Sequence, residues 1–170
     1  SSEGGLVWLK SRSNAFRHFL FDTERGVTKN IYANETYAEN TVSNGLTAFN
    51  SNGFTLGDDG GGSPANTVNT SSNNYVAWAW KANGGSTTSF NESGNNPGGT
   101  YQANTTSGFS IVTYTGTGGA GTVQHGLGVA PDLVFIKQRN SSGAWLTQHR
   151  SFSSFLGLSV NFINFINRSD

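Results

Sequence analysis

A glycine falls every few residues along this chain, 23 in 170, and that spacing leaves little room for helices. Each glycine inside a helix costs about 1 kcal/mol relative to alanine. The stretches between glycines read as strands. Tyr75-Val76-Ala77-Trp78-Ala79-Trp80-Lys81 alternates, with Val76, Trp78 and Trp80 on one face and Ala77 and Ala79 on the other. Phe109 to Thr115 is rich in β-branched and aromatic residues. Leu6-Val7-Trp8-Leu9 and Leu133-Val134-Phe135-Ile136 are apolar runs closed by lysine, the pattern of strands buried on both faces or of strands that pass through a sandwich core. Phe16 to Phe21 and Phe54-Thr55-Leu56 are shorter candidates, and the tail from Leu158 to Ile166 fits either a strand or a helix. Turn dipeptides punctuate the chain at Asn44-Gly45, Asn52-Gly53, Asp59-Gly60 and Asn83-Gly84, because these residues tolerate positive φ. The expected fold is all-β: an antiparallel β-sandwich or jelly-roll with an internal partial repeat and long polar loops.

Charge and composition exclude several classes. Ten basic and ten acidic residues balance, so the chain lacks the basic stripe that nucleic-acid binding needs. No apolar run is long enough for a membrane-spanning helix. With no cysteine there is neither a disulfide framework nor a thiolate zinc site. Aromatic residues at 12% with zero net charge argue against disorder. Ser1 and Ser2 stand where an initiator methionine would be, so the chain is expected to be processed or part of a longer one.

Residues 83–100, rich in Gly, Asn and Ser, read as a linker between a first β-rich unit, 1–82, and a second, 101–170. The two units share a segment. Leu6-Val7-Trp8-Leu9-Lys10-Ser11-Arg12-Ser13 aligns with Leu133-Val134-Phe135-Ile136-Lys137-Gln138-Arg139-Asn140, an offset of 133 − 6 = 127 residues. His18 and His149 follow the two copies and are expected at equivalent positions. In the second copy a strand and a Gly-rich hairpin, Phe109 to Pro131, precede the shared segment. In the first, Val27 to Lys81 follows it. The chain thus reads as the back of one unit joined to the front of the next. Missing strands are expected from a neighbouring subunit or from other parts of a longer polypeptide, since a truncated sandwich leaves strand edges unpaired.

The chemistry-bearing residues form no ordered catalytic set. His18, His125 and His149 lack the close spacing of a metal-binding pair. Gly116 to Gly121 follows a strand as a phosphate loop would, but Gly126 and Gly128 preclude the helix that must come next. Asp58 and Asp59 could hold calcium in a Gly-rich turn, although a solvated turn is the simpler reading. Asp22, Glu24, Glu35 and Glu39 lie near Arg17, Arg25 and Lys29, which reads as surface ion pairs of small individual worth. Six Asn-x-Ser/Thr sequons, at Asn34, Asn69, Asn91, Asn104, Asn140 and Asn167, are expected by chance in so Asn- and Ser-rich a chain. No cofactor, metal or catalytic residue is expected.

Binding residues are easier to nominate. Trp8, Trp78, Trp80 and Trp145 could stack on sugars, with core packing the favoured use of Trp78 and Trp80. Lys10 and Arg12 recur as Lys137 and Arg139, where they could grip a carboxylate or an anionic glycan, although charges that mark a buried strand reaching water are the favoured reading. The candidate ligand or interface residues are therefore Trp8, Lys10, Arg12, Lys137, Arg139 and Trp145.

Several segments together resemble a repeat of tailed-bacteriophage virion proteins, particularly those of marine phages. They are Gly5 to Asn14, Asp22 to Gly26, Leu46 to Gly57, Tyr75 to Lys81 and Thr113 to Gly116. The resemblance implies a tail fibre or related appendage built of tandem β-rich repeats, and no catalysis. It implies other virion subunits and a homo-oligomer as partners, a place on the particle surface, and host-surface glycans as possible contacts. A lectin-like carbohydrate-binding module and a self-assembling filament or capsid-decorating subunit are the alternatives.

Overall fold

A computed structural model describes residues 4–58, 67–82 and 86–151. Twelve strands and no helix occur among the described residues, and every pairing is antiparallel. The ambiguous tail lies outside them, as do Asn83-Gly84 and Asp59. The largest sheet has the order β4-β3-β2-β1-β7. Its strands are β1 (Gly5–Ser11), β2 (Phe19–Asp22), β3 (Lys29–Tyr32), β4 (Asn40–Thr41) and β7 (Tyr75–Lys81). A hairpin of β5 (Leu46–Asn50) and β6 (Gly53–Leu56) covers one of its faces.

The core follows from the register. Val7 stands opposite Phe21 and Leu9 opposite Phe19, so all four side chains share a face. They join Tyr32, Leu46 and Val68, with Phe49, Phe54 and Leu56 of the covering hairpin packed against them. Each such buried side chain stabilises the fold by roughly 1.5–3 kcal/mol.

Two expectations about burial are corrected here. β1 alternates between buried and half-buried positions instead of burying both faces. Trp78 and Trp80 are not core residues: they are 46% and 39% exposed, and Ala77 and Ala79 behind them are exposed too. The reason is position. β7 is the outermost strand of its sheet, beyond the core cluster that the β5–β6 hairpin closes. Trp78 rests instead against Trp8, ring centroids 5.4 Å apart, and Trp80 stacks on Phe109 at 6.2 Å.

The stretch 83–100 is also more than a linker. It contains β8 (Thr88–Phe90) and the start of β9 (Gly99–Asn104), which with β10 (Phe109–Tyr114) form a sheet of order β10-β9-β8. Phe90 is buried. Gly98 and Gly99 serve close approach here, since a Cβ on Gly99 would collide with the Thr113 carbonyl of the neighbouring strand. Likewise the Gly-rich segment after β10 is a loop and not a hairpin, because β10 pairs with β9 while β11 (Leu133–Ile136) pairs with β12 (Leu146–His149). Asn95 and Asn96 hold that loop through the Thr117 hydroxyl and the Thr122 N–H.

The repeat is visible as one hairpin built twice. Leu6 pairs with Asp22 and Leu9 with Phe19; Leu133 pairs with His149 and Ile136 with Leu146. Every one of these positions matches at the offset of 127. The closing bond matches as well: Thr23 N–H donates to the Gly5 carbonyl at 3.0 Å, and Arg150 N–H to the Asp132 carbonyl at 2.9 Å. So does a side chain: Lys10 Nζ donates to the Ser11 carbonyl, and Lys137 Nζ to the Gln138 carbonyl. The register corrects one equivalence. His149 stands in the place of Asp22, and it is Trp145 that stands in the place of His18.

The surroundings of the two hairpins differ. β11 is exposed at Leu133 and Phe135, against the expectation of a strand buried on both faces. Leu133 and Phe135 stand in the places of Leu6 and Trp8, which in the first hairpin lie opposite Trp80 and Trp78 of β7.

Candidate functional site

The most densely bonded polar region lies where the two hairpins meet. It starts in the β2–β3 turn. Gly26, at φ +96°, lets the chain reverse there, with its N–H on the Asp22 carbonyl at 3.1 Å. The Asp22 carboxylate accepts the Arg25 backbone N–H at 2.8 Å and the Arg25 Nε at 2.5 Å. The rest of the guanidinium donates to the Leu20 carbonyl at 2.9 Å and to Glu39 at 3.3 Å. The Asp22 and Arg25 side chains are only 4% and 5% exposed.

Glu39 comes from the loop between β3 and β4 and faces a second arginine across the joint. Arg139 Nε and Nη2 donate to its two carboxylate oxygens at 2.9 and 3.0 Å, a bidentate pair. Backbone bonds hold the same joint: Glu39 N–H to the Arg139 carbonyl, and Gly143 N–H to the Thr36 carbonyl. Trp145 Nε1 donates to the Tyr32 carbonyl at 2.9 Å. The cluster is thus an alternating chain of charges, Asp22–Arg25–Glu39–Arg139, and not the solvated surface pairing expected from sequence.

Glu39 titrates accordingly. Burial pushes its carboxyl up, but the Arg139 hydrogen bonds and the charges of Arg139 and Arg25 outweigh it, leaving the group below its ordinary value. A carboxyl depressed by folding contributes stability that is complete above its unfolded pKa and lost as pH falls through the lower folded value. Thermal melts across the acid range should therefore lose stability less steeply in Glu39→Gln than in the parent, the difference appearing below about pH 4.3.

A second joint lies beside the first. Glu24 accepts the Thr100 hydroxyl, and the hydroxyls of Thr87 and Thr113 at 3.3 Å each. Gln102, 2% exposed, donates to the Thr23 carbonyl and the Thr87 hydroxyl and accepts the Thr23 hydroxyl. The β8–β10 sheet is thereby fastened to the same turn that carries Asp22 and Arg25.

Of the six nominated residues, Arg139 and Trp145 meet at this joint. Trp8 lies elsewhere, between Trp78 and His18. Lys10 and Lys137 are spent on carbonyls of their own loops. Arg12 is exposed in the loop that corresponds to that of Arg139. Sequence reasoning missed Asp22, Arg25 and Glu39 as a unit. The recurring arginine was a signal for a carboxylate partner, but nothing in the spacing points to an acid a hundred residues away.

Among the described residues no group of three His, Asp or Glu side chains could hold an ion. His125 and His149 use Nδ1 to accept local backbone N–H groups. His18 Nδ1 is buried without a partner among the described residues. Burial and then the Lys10 charge hold its pKa below the ordinary value.

The fold and this joint define an all-β antiparallel protein in which a half-exposed arginine of the second hairpin meets a charge cluster buried in the first unit. Residues 1–166 match a domain of unknown function, DUF7483, and the chain belongs to that family. No curated protein and no solved structure matches it.

Proposed function

We propose that this chain is a non-enzymatic structural module of a virion, part of a tail fibre or related appendage on the particle surface. The observation that carries the reading is the joint: Arg139 of the second hairpin clamps Glu39 of the first unit, with Arg25 and Asp22 buried behind it. Contacts between neighbouring repeats carry part of the stability of a tandem array, and the joint is a contact of that kind. The resemblance of Gly5 to Asn14 and Tyr75 to Lys81 to phage virion repeats supports the same assignment. Exposed Trp78 and Trp80 offer an amphipathic face for a neighbouring subunit or a host glycan. With few charges, such contacts are insensitive to salt.

The test is occupancy of the particle. Mass spectrometry of purified particles, from a host lysate in which the gene is expressed, is expected to find its peptides at structural abundance. Particles that lack them while the free chain accumulates in the lysate would overturn the reading.

A further inference from the structure

The second joint holds a hydroxyl, a carboxamide and a carboxylate in one connected set. The Thr23 hydroxyl donates to Gln102 Oε1. Gln102 Nε2 donates to the Thr23 carbonyl at 3.3 Å and to the Thr87 hydroxyl at 3.0 Å, and that hydroxyl donates in turn to Glu24 Oε2 at 3.3 Å. Thr100 and Thr113 fix Glu24 through its other oxygen. Gln102 is buried, whereas Thr87 faces solvent. Thr23 follows the end of β2 and Gln102 lies within β9, 79 residues further on. A hydroxyl held on a carbonyl, with the nitrogen of that carboxamide on a path to a carboxylate, is the arrangement that acyl transfer needs.

We propose that Thr23 and Gln102 form an intramolecular ester cross-link. Thr23 Oγ1 attacks Gln102 Cδ; the Oγ1–Cδ bond forms and the Cδ–Nε2 bond breaks. Glu24, through the Thr87 hydroxyl, hands a proton to Nε2, which leaves as ammonia on the side open to solvent. The proton that Thr23 gives up restores Glu24. One hydroxyl and one carboxamide thus become one ester and one ammonia, with no oxidant or co-reactant. The step happens once per chain and is not an enzymatic turnover. Burial of Gln102 shields the ester carbonyl from the water that would hydrolyse it. The bond ties the β2–β3 turn to the β8–β10 sheet. Closing so long a loop removes entropy from the unfolded chain, as a disulfide would, and this chain has no cysteine with which to make one. The inference draws on this joint and not on the virion assignment, so either can fail alone.

Intact-mass spectrometry of the purified, denatured full chain is expected to find it lighter than its sequence by one ammonia. Tryptic digestion is expected to yield peptide 18–25, which carries Thr23, joined to peptide 82–137, which carries Gln102. Thr23→Val, which keeps the shape and removes the hydroxyl, restores the full mass, and Thr23→Ser retains the cross-link. Glu24→Gln slows cross-linking about a hundredfold or more, read as the linked fraction against time after synthesis. The mass of the parent chain decides the matter even where a variant fails to fold. The proposal is overturned if the parent has its full sequence mass, or if Thr23→Val is equally light. It is also overturned if the missing ammonia maps within a single peptide, as a succinimide at Asn44-Gly45 or Asn52-Gly53 would. Cross-linking of Glu24→Gln at the parent's rate would overturn the proton path.

Discussion

Replacing Arg25 with methionine is expected to destabilise the protein by about 3–5 kcal/mol, the cost of leaving a buried ion without its partner. The Arg25 side chain is 5% exposed and contacts both Asp22 and Glu39. Without it, Asp22, 4% exposed, keeps its carboxylate with only the turn's N–H to balance it, and the Leu20 carbonyl loses its side-chain donor. Arg139→Ala is the informative contrast. Its side chain is 43% exposed, and Glu39 keeps Arg25, so the loss should be about 1 kcal/mol. Thermal melts of the two variants test this, with a fall on the order of 10 °C expected for Arg25→Met in a chain of this size. Equal losses in the two would show that the buried half of the cluster carries no special weight.

Phe21→Ala should cost a similar amount, about 3–5 kcal/mol, for a different reason. Phe21 has no exposed surface. It lies beside Phe19, ring centroids 6.2 Å apart, opposite Val7 and within the cluster closed by Leu46 and Val68. Truncation removes the transfer energy of the ring and leaves a cavity that strands on three sides cannot collapse to fill. A small domain has only about 5–15 kcal/mol of stability in total, so the variant should unfold at much lower denaturant concentration. Gln148 occupies the same place in the second hairpin, and Gln148→Ala should shift stability by no more than about 1 kcal/mol. Urea titrations of both variants distinguish a core built by the first hairpin from one shared between the two.

The repeat was legible in eight residues because strand pairing obeys local rules. Lysine-closed apolar runs with the same spacing fold into hairpins of the same register, down to the bond between Lys10 and the Ser11 carbonyl and its counterpart at Lys137. The strands at Tyr75–Lys81 and Phe109–Tyr114 were legible for the same reason, since period-two alternation reflects backbone geometry alone. Alternation also assigned Trp78 and Trp80 correctly to one face. Which face would be covered was another matter.

Sequence by itself thus determined the strongest strands, the all-β class and the shared segment of the two hairpins, because each depends on residues close together in the chain. Only the tertiary structure decided what those strands meet. β7 became the outermost strand of its sheet, so its tryptophans stay half exposed. The Gly- and Asn-rich stretch around Thr88–Phe90 became a strand because β9 was there to pair with it. Asp22, Arg25 and Glu39, which read as surface pairs, became a largely buried cluster that Arg139 meets from the second hairpin. Burial is a property of packing between distant segments, and it sets the worth of a charge or a ring more strongly than the identity of the residue does.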